Sequence, residues 1–311
     1  MAFSAQDVKA LREKTGVGMM DCKKALAEAD GDIDRAMDIL RERGLAAATK
    51  KAGRITAEGI VAAYQADGVS VLLEVNSETD FVAKNEGFRA FVADVAKTIA
   101  EENPADVEAL AAMKLAGSDR TVEENRQDKI LSTGENLSLR RFVRIEGNPA
   151  VGSYIHGGGS IGTFSVFQAD AAVAATDAFK EMAKNVAMQI AALSPQFLNA
   201  AAIPADFEAK EKEILRVQMA EDPKMQNKPE KVLEDIMAGK LSKLYSEICL
   251  MEQSYFRDED ITVGKYIANT AKELGAEITC VDFVRLVKGE NLQKREDDFA
   301  AEVAKASGVQ A

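Results

Sequence analysis

Residues 74–85 have the sequence EVNSETDFVAKN and separate two segments of different hydrophobic periodicity. Residues 69–75 alternate in the manner of a β-strand, and the residues from Phe88 onward repeat at helical spacing. Thr79 and Asp80 are favourable helix N-cap residues, because their side-chain oxygens can accept hydrogen bonds from free backbone N–H groups. The stretch therefore predicts a turn from a strand into an amphipathic helix, and the fold is organised around this unit.

Phe81 admits two interpretations: a staple packed on its own helix, or a side chain displayed to a partner. The chain contains an internal comparison, because one apolar pattern recurs at a constant offset. Phe88, Val95, Ala96, Ile99 and Ala100 return as Phe179, Val186, Ala187, Ile190 and Ala191. This duplication predicts two copies of a strand–turn–strand–turn–helix unit. In the second copy Ala171 and Ala172 stand opposite Asp80 and Phe81, which favours a function specific to the first copy.

Two stretches resemble the signatures of one protein family. Residues 74–84 and residues 11–26, LREKTGVGMMDCKKAL, are similar to the two signatures of the bacterial translation elongation factor Ts family. The resemblance covers both core copies and the C-terminal segment, and it is weakest between about residues 200 and 254. It implies a guanine nucleotide exchange factor for the GTPase elongation factor Tu, and not an enzyme that makes or breaks covalent bonds.

The same resemblance implies which residues meet the GTPase. The turn before the helix would enter the GTPase and disturb its Mg²⁺ and phosphate site, an N-terminal loop would contact the nucleotide-binding domain, and the second copy would contact another domain. In that order the matching residues are Thr79, Asp80, Phe81 and Val82; Met19, Met20, Asp21 and Lys23; and His156. Methionine adapts to partner surfaces, but either Met could instead fill a small core, and both interpretations stay open.

Composition limits the classes of function. The chain has 311 residues and a formal net charge of −12, so it is a poor general binder of nucleic acid, which requires clustered Lys and Arg. No apolar run approaches the roughly 20 residues of a membrane span, and the first residues do not have the pattern of a signal peptide. Three widely spaced cysteines fit reduced thiols. We therefore expect a cytoplasmic protein that has no membrane and no direct nucleic-acid partner.

Catalytic chemistry is not indicated by any pattern. His156 is the one histidine, so a catalytic triad could use only this residue as its base. It precedes residues 157–162, GGGSIG, but a phosphate-binding loop would add Gly-Lys-Ser/Thr and open a helix. Glycines between two β-type segments predict a hairpin turn. We expect no catalytic residue, no metal ligand and no cofactor.

The predicted fold class is α+β with five parts. These are an N-terminal three-helix domain that resembles the ubiquitin-associated type, with its linker (1–54), a first core subdomain (55–141), a second (142–195 and 251–270), an inserted helical hairpin of coiled-coil type (196–250) and a C-terminal module (271–311). Gly44 is predicted to close the third helix, and residues 46–54 are predicted to be a helix end that runs into a basic linker. A final helix is predicted near residues 295–305.

Two rival functions remain open. A passive helical adaptor or scaffold would use the three-helix domain and the hairpin for binding alone, whereas an enzyme would use the glycine run as a nucleotide site. An exchange factor should bind GDP negligibly by itself and still accelerate GDP release from a GTPase. The sequence also leaves open whether the hairpin pairs two copies in a homodimer.

Overall fold

The computed structural model describes residues 3–147, 150–225 and 228–293, in two compact units. Of the described residues, one unit contains 3–145, 157–161 and 286–293. The other contains 146–147, 150–156, 162–225 and 228–285. Both combine helices with antiparallel β-strands. The fold class is therefore α+β, as predicted.

The first half of the chain forms seven helices and three strands within the described residues. In chain order they are α1 Ala5–Thr15, α2 Met19–Glu28, α3 Ile33–Lys51, β1 Glu58–Ala66, β2 Val69–Ser77, α4 Asp80–Lys84, α5 Glu86–Glu102, α6 Val107–Ala112, α7 Val122–Thr133 and β3 Leu137–Glu146. The strands form a sheet in the order β1-β2-β3. The helix α5 packs on this sheet, and its Phe88, Val95 and Ile99 are fully buried.

The second half repeats this arrangement and adds to it. Its elements are β4 Val151–His156, β5 Ile161–Gln168, α8 Ala171–Ala174, α9 Asp177–Leu193, a 3₁₀ turn Ala200–Ala202, α10 Ala205–Glu221, α11 Glu230–Ile248, β6 Ser254–Tyr255, β7 Asp258–Thr262, α12 Val263–Leu274 and β8 Thr279–Val287. Strands β4, β5 and β8 form the second sheet, and β6 pairs with β7. Phe179, Val186 and Ile190 of α9 are buried in the second core.

The duplication predicted from the sequence is confirmed at the helix ends. Asn85 caps the start of α5 and Thr176 caps the start of α9 at the equivalent position. Both helices end on a residue with a left-handed backbone, Asn103 and Ser194, each with φ of 50°. The predicted strand-to-helix turn differs in one respect, because it contains a short helix in each copy, α4 and α8.

The hairpin between β1 and β2 forms where the sequence predicts it. Asp67 and Gly68 both have positive φ, 51° and 76°, as a two-residue turn between antiparallel strands requires. The pairing continues from Glu58 opposite Ser77 to Ala66 opposite Val69. With this regular pairing, β2 ends at Ser77, just before α4 begins at Asp80.

Gly44 does not end α3, contrary to the sequence prediction. The helix continues to Lys51, and a Cβ at Gly44 would lie 3.4 Å from the Gln127 carbonyl oxygen of α7. Glycine is therefore used here for close packing of two helices, and not for a left-handed cap. Ala48 joins the core of the first sheet. Of residues 46–54, predicted as a helix end running into a linker, those up to Lys51 are helical.

The compact units also differ from the predicted division of the chain. A boundary at residue 142 falls inside β3, and residues 271–285, predicted as part of a C-terminal module, lie in the second unit. The reason is strand pairing, because β8 occupies the edge of the second sheet beside β5. The predicted final helix near 295–305 lies outside the described residues.

Helices α10 and α11 form a pair within the second unit. The Tyr245 hydroxyl of α11 donates to Glu208 Oε1 of α10 at 2.7 Å, and Met219 and Leu241 are buried. Burial and the Glu208 carboxylate raise the pKa of Tyr245 to about 12. Among the described residues, no helix has the length and apolar character needed to cross a bilayer.

Candidate functional site

The helix α4 is fixed at its start by a set of hydrogen bonds around Thr79. The Thr79 hydroxyl accepts from the Val82 N–H at 3.5 Å and donates to Glu135 Oε1 at 2.6 Å. The Thr79 backbone N–H donates to Glu135 Oε2 at 2.9 Å, and Ser77 Oγ donates to the Thr79 carbonyl at 2.8 Å. Four hydrogen bonds therefore hold the turn at Thr79. Of the two predicted N-cap residues, Thr79 caps the short helix α4 and Asp80 is the first residue of that helix. The amphipathic helix α5 is capped by Asn85 instead.

A second carboxylate holds the same turn. Glu78 accepts the Asn136 backbone N–H at 2.6 Å and forms an ion pair with Arg54 at 3.2 Å. Asn136 is itself buried, and its amide donates to the Ala52 and Arg54 carbonyls at 3.4 and 3.3 Å. The stretch that carries Thr79 and Asp80 is therefore attached to the segment after α3 and to the start of β3.

Phe81 stands out from this fixed turn. Its side chain is 80% exposed, whereas the next two residues, Val82 and Ala83, are buried in the first core. The staple interpretation requires the ring to pack on its own helix, and this exposure does not fit it. In the second copy Ala174 is buried like Ala83, while Ala171 and Ala172 are exposed. The two copies thus share the buried alanine and differ in the residues that they expose.

Asp80 is held as an anion next to the exposed ring. Its carboxylate forms an ion pair with Lys84 at 2.6 Å, one turn further along α4. The hydrogen bond from Lys84 lowers the pKa of Asp80, and its charge acts in the same direction. The first turn of α4 therefore presents an acid and an aromatic ring together.

A cleft of about 460 Å³ lies beside Phe81. Its lining combines the glycine that ends α1 with residues in or next to α4, α5 and α7, namely Gly16, Phe81, Val82, Asn85, Gly87, Lys129, Ser132, Thr133 and Glu135. Gly16 has a φ of 66° and caps α1. The three-helix module and the α4 turn therefore border one depression of the first unit.

Met19 and Met20 are exposed, by 54% and 62%. The prediction that they lie in a loop is wrong, because they form the first turn of α2, directly after Gly18. The small core of the three helices is filled instead by Leu11, Val17, Leu26 and Leu40, among others. Lys23 is exposed and Asp21 is half-buried on the same helix. The open question about the methionines is settled in favour of exposure.

His156 lies at the end of β4 and is exposed. The Tyr154 hydroxyl and His156 Nδ1 are 3.0 Å apart, and the rings are 5.9 Å apart. Residues 157–159 follow with positive φ values of 56°, 67° and 113°, and β5 begins at Ile161. The glycine run is a hairpin turn, which confirms the prediction. A Cβ at Gly159 would lie 2.8 Å from Ile60 Cβ, so glycine is needed for contact with β1.

Comparison with known proteins identifies the family. The sequence model of the family described as Elongation factor TS matches residues 78–290, more than half of the chain. The chain is 48% identical to Elongation factor Ts of Syntrophotalea carbinolica over 305 residues, covering 98% of this chain and 99% of the relative. The chain belongs to the elongation factor Ts family. Elongation factor Ts of Trichlorobacter lovleyi is 48% identical over 314 residues, covering 99% and 100%, and that of Clostridium perfringens strain SM101 is 45% identical over 309 residues, covering 98% and 99%.

Membership of the elongation factor Ts family confirms the resemblance seen in the two signatures and makes the chain a bacterial translation elongation factor. The relatives match nearly the whole chain, including the three-helix module that precedes residue 78. Within residues 3–147, 150–225 and 228–293, no group of three or more His, Cys, Asp or Glu side chains could hold a metal ion.

Glu74 is a residue whose role sequence reasoning missed. It is completely buried at the start of the signature stretch. It accepts hydrogen bonds from Arg140 Nη1 at 2.8 Å, Arg141 Nε at 2.7 Å and the Gly289 N–H at 2.7 Å. Burial opposes its ionisation most strongly, but Gly289, the two guanidinium groups and Asn76 together outweigh burial and lower the pKa of Glu74. The adjacent arginines in β3 were the available signal, because a buried charge needs counter-charges.

Proposed function

We propose that this chain is a guanine nucleotide exchange factor for elongation factor Tu, acting in the cytoplasm during translation elongation. The observation that carries the proposal is Phe81, 80% exposed on a turn held by Glu78 and Glu135. An exposed aromatic ring on a fixed backbone loses little conformational freedom on binding, and such rings are common anchors of protein interfaces. The factor makes and breaks no covalent bond in this proposal.

The mechanism is differential binding. The factor stabilises the nucleotide-free GTPase more than the GDP-bound form, and by reciprocity GDP weakens the factor's binding by the same ratio. A GTPase holds its nucleotide in part through Mg²⁺ and phosphate contacts. Insertion of Asp80 and Phe81 into the GTPase displaces the elements that support these contacts. Thr79 positions the turn by capping α4, and Val82 positions it by packing in the core.

Other contacts orient the turn. We assign to Met19, Met20, Asp21 and Lys23 the recruitment of the nucleotide-binding domain of the GTPase, and to His156 the contact with a second domain. The finer fold assignments belong to the same proposal: a ubiquitin-associated type for α1 to α3, and a coiled-coil hairpin for α10 and α11. Sedimentation velocity with and without residues 205–248 tests whether two copies pair through that hairpin.

The test is release of a fluorescent GDP from purified elongation factor Tu, followed by stopped flow. The chain should accelerate release in a concentration-dependent manner, and it should bind GDP negligibly when titrated alone. A helical adaptor would bind the GTPase without changing the release rate, and a nucleotide-using enzyme would bind GDP itself. Either result would overturn the proposal.

For His156, replacement by alanine should raise the factor concentration needed for half-maximal release and leave the helicity measured by circular dichroism unchanged. Tyr154→Phe is the matched variant, because it removes the hydroxyl that contacts Nδ1 and keeps the histidine. Equal release at every concentration of His156→Ala would remove this residue from the interface.

A further inference from the structure

A second cleft of the chain, about 500 Å³ in volume, lies in the second unit and is lined by three cations. Lys180 and Lys184 project from α9, and Arg257 comes from the two-residue turn between β6 and β7. All three are exposed, and none forms an ion pair with another described residue. Glu181 also lines the cleft, so its lining has three cations and one anion, in a chain whose net charge is −12.

Three elements of the fold bring these cations together. β4 passes directly over α9, because Gly152 leaves room for it: a Cβ there would lie 2.4 Å from the Ala183 carbonyl oxygen. Two residues further along β4, Tyr154 lines the cleft and contacts His156. Arg257 lies 5.4 Å from the ring centroid of Phe256, a cation–π contact that restrains the guanidinium.

The duplication shows that the fold does not require these charges. The position of Lys180 corresponds to Arg89 in the first copy, and that of Lys184 to Ala93. Arg89 is used structurally, since it donates to the Ala83 carbonyl at 3.0 Å and to the Gly158 carbonyl at 2.9 Å. Lys180 makes neither contact, and Lys180 and Lys184 stand one helical turn apart, where like charges destabilise a helix.

We propose that this cationic cleft, defined by Tyr154, Lys180, Lys184 and Arg257, receives an acidic segment of the partner GTPase. The inference rests on the proposed function and names the chemistry of the contact near His156. A protein carboxylate segment fits better than nucleic acid, because three cations beside Glu181, which also lines the cleft, are few for a phosphate backbone, and the net charge repels a long polyanion. Charges at the rim of an interface mainly raise the association rate.

The experiment is stopped-flow release of fluorescent GDP from elongation factor Tu at low and high ionic strength. For Lys180→Glu/Lys184→Glu we expect the concentration giving half-maximal release to rise on the order of tenfold at low salt, with the maximal rate at saturation unchanged, and the difference to shrink at high salt. Lys180→Gln/Lys184→Gln should give an intermediate change. The matched control is Lys265→Glu/Lys272→Glu, which makes the same charge change on exposed positions of α12 and should change release less than about twofold.

Three results would overturn the inference: no change in the Glu double variant, an equal change in the α12 control, or binding of transfer RNA by the wild type that the Glu double variant loses, measured by fluorescence anisotropy. Thermal denaturation of each variant verifies folding, and the milder Gln pair keeps the test valid if the Glu pair is unstable. Failure of the proposed function is a different outcome, because the wild-type chain would then not accelerate GDP release at all.

Discussion

Replacement of Phe81 by alanine separates a displayed ring from a structural one. About one fifth of the side chain is buried in the free protein, and full burial of a Phe side chain contributes about 1.5–3 kcal/mol. The variant should therefore lose less than about 0.6 kcal/mol of unfolding free energy. Phe88→Ala is the matched control, since Phe88 is completely buried seven residues later and its truncation should cost about 3–5 kcal/mol.

The effect on exchange should be much larger than the effect on stability. If the exposed four fifths of the ring is buried against the GTPase in the transition state for GDP release, its removal costs about 1.2–2.4 kcal/mol. Because each 1.4 kcal/mol is tenfold, release at a fixed subsaturating concentration should slow roughly seven- to fiftyfold.

Two measurements made on the same preparation decide the question. Stopped-flow GDP release gives the maximal rate and the half-maximal concentration, and thermal denaturation gives the melting temperature. A wedge predicts a lower maximal rate with a nearly unchanged melting temperature. If Phe81→Ala instead lowered the melting temperature as Phe88→Ala does and preserved GDP release in the folded fraction, the mechanism would lose its wedge.

Three further predictions concern stability and recruitment. Glu74→Gln should lower the free energy of unfolding in urea by about 3–5 kcal/mol, because two arginines lose their buried counter-charge. The folded pKa of Glu74 lies below its ordinary 4.5, so the difference between wild type and variant should be complete above pH 4.5 and shrink at lower pH. A difference that did not depend on pH would contradict the counter-charge role of Glu74. Gly152→Ala should destabilise the protein by about 1–3 kcal/mol, because its Cβ would clash with α9. Gly239→Ala, inside α11 with open space around it, should stabilise the protein by about 0.4–1 kcal/mol. If calorimetry gave the opposite order of melting temperatures, the close packing of β4 on α9 would be refuted. Met19→Ser/Met20→Ser should weaken binding of the GTPase in calorimetry with little change in melting temperature. This double variant is a cleaner test than deletion of residues 1–54, which would also remove the packing of α3 on α7. Unchanged affinity would contradict the recruitment role of the two methionines.

Local chemistry determined several features that the sequence alone predicts. Asp67 and Gly68 tolerate the positive φ of a hairpin turn, so this turn is encoded by two neighbouring residues. Thr79 caps α4 through its own side chain. The duplication is visible because the apolar spacing of α5 and α9 repeats along the chain, and spacing along a helix depends only on the helix itself. These features need no knowledge of distant residues.

Gly44 shows where such reasoning fails. Glycine after a helical pattern usually ends the helix in a left-handed conformation, and Gly16 and Gly134 do so here. At Gly44 the helix continues because α7, more than 80 residues away in the chain, packs against it at a distance that a Cβ would make tight. The two outcomes differ only in a tertiary neighbour, which the local sequence does not contain.

Some features of the candidate site were determined by the local sequence and others by the tertiary structure. The sequence by itself determined that Asp80 and Phe81 differ from their counterparts Ala171 and Ala172. Only the tertiary structure decided that Phe81 is exposed while Val82 beside it is buried, that Met19 and Met20 begin a helix, and that Lys180, Lys184 and Arg257 line one cleft. Exposure and convergence depend on which distant elements cover a residue, and burial of apolar surface over the whole chain makes that choice.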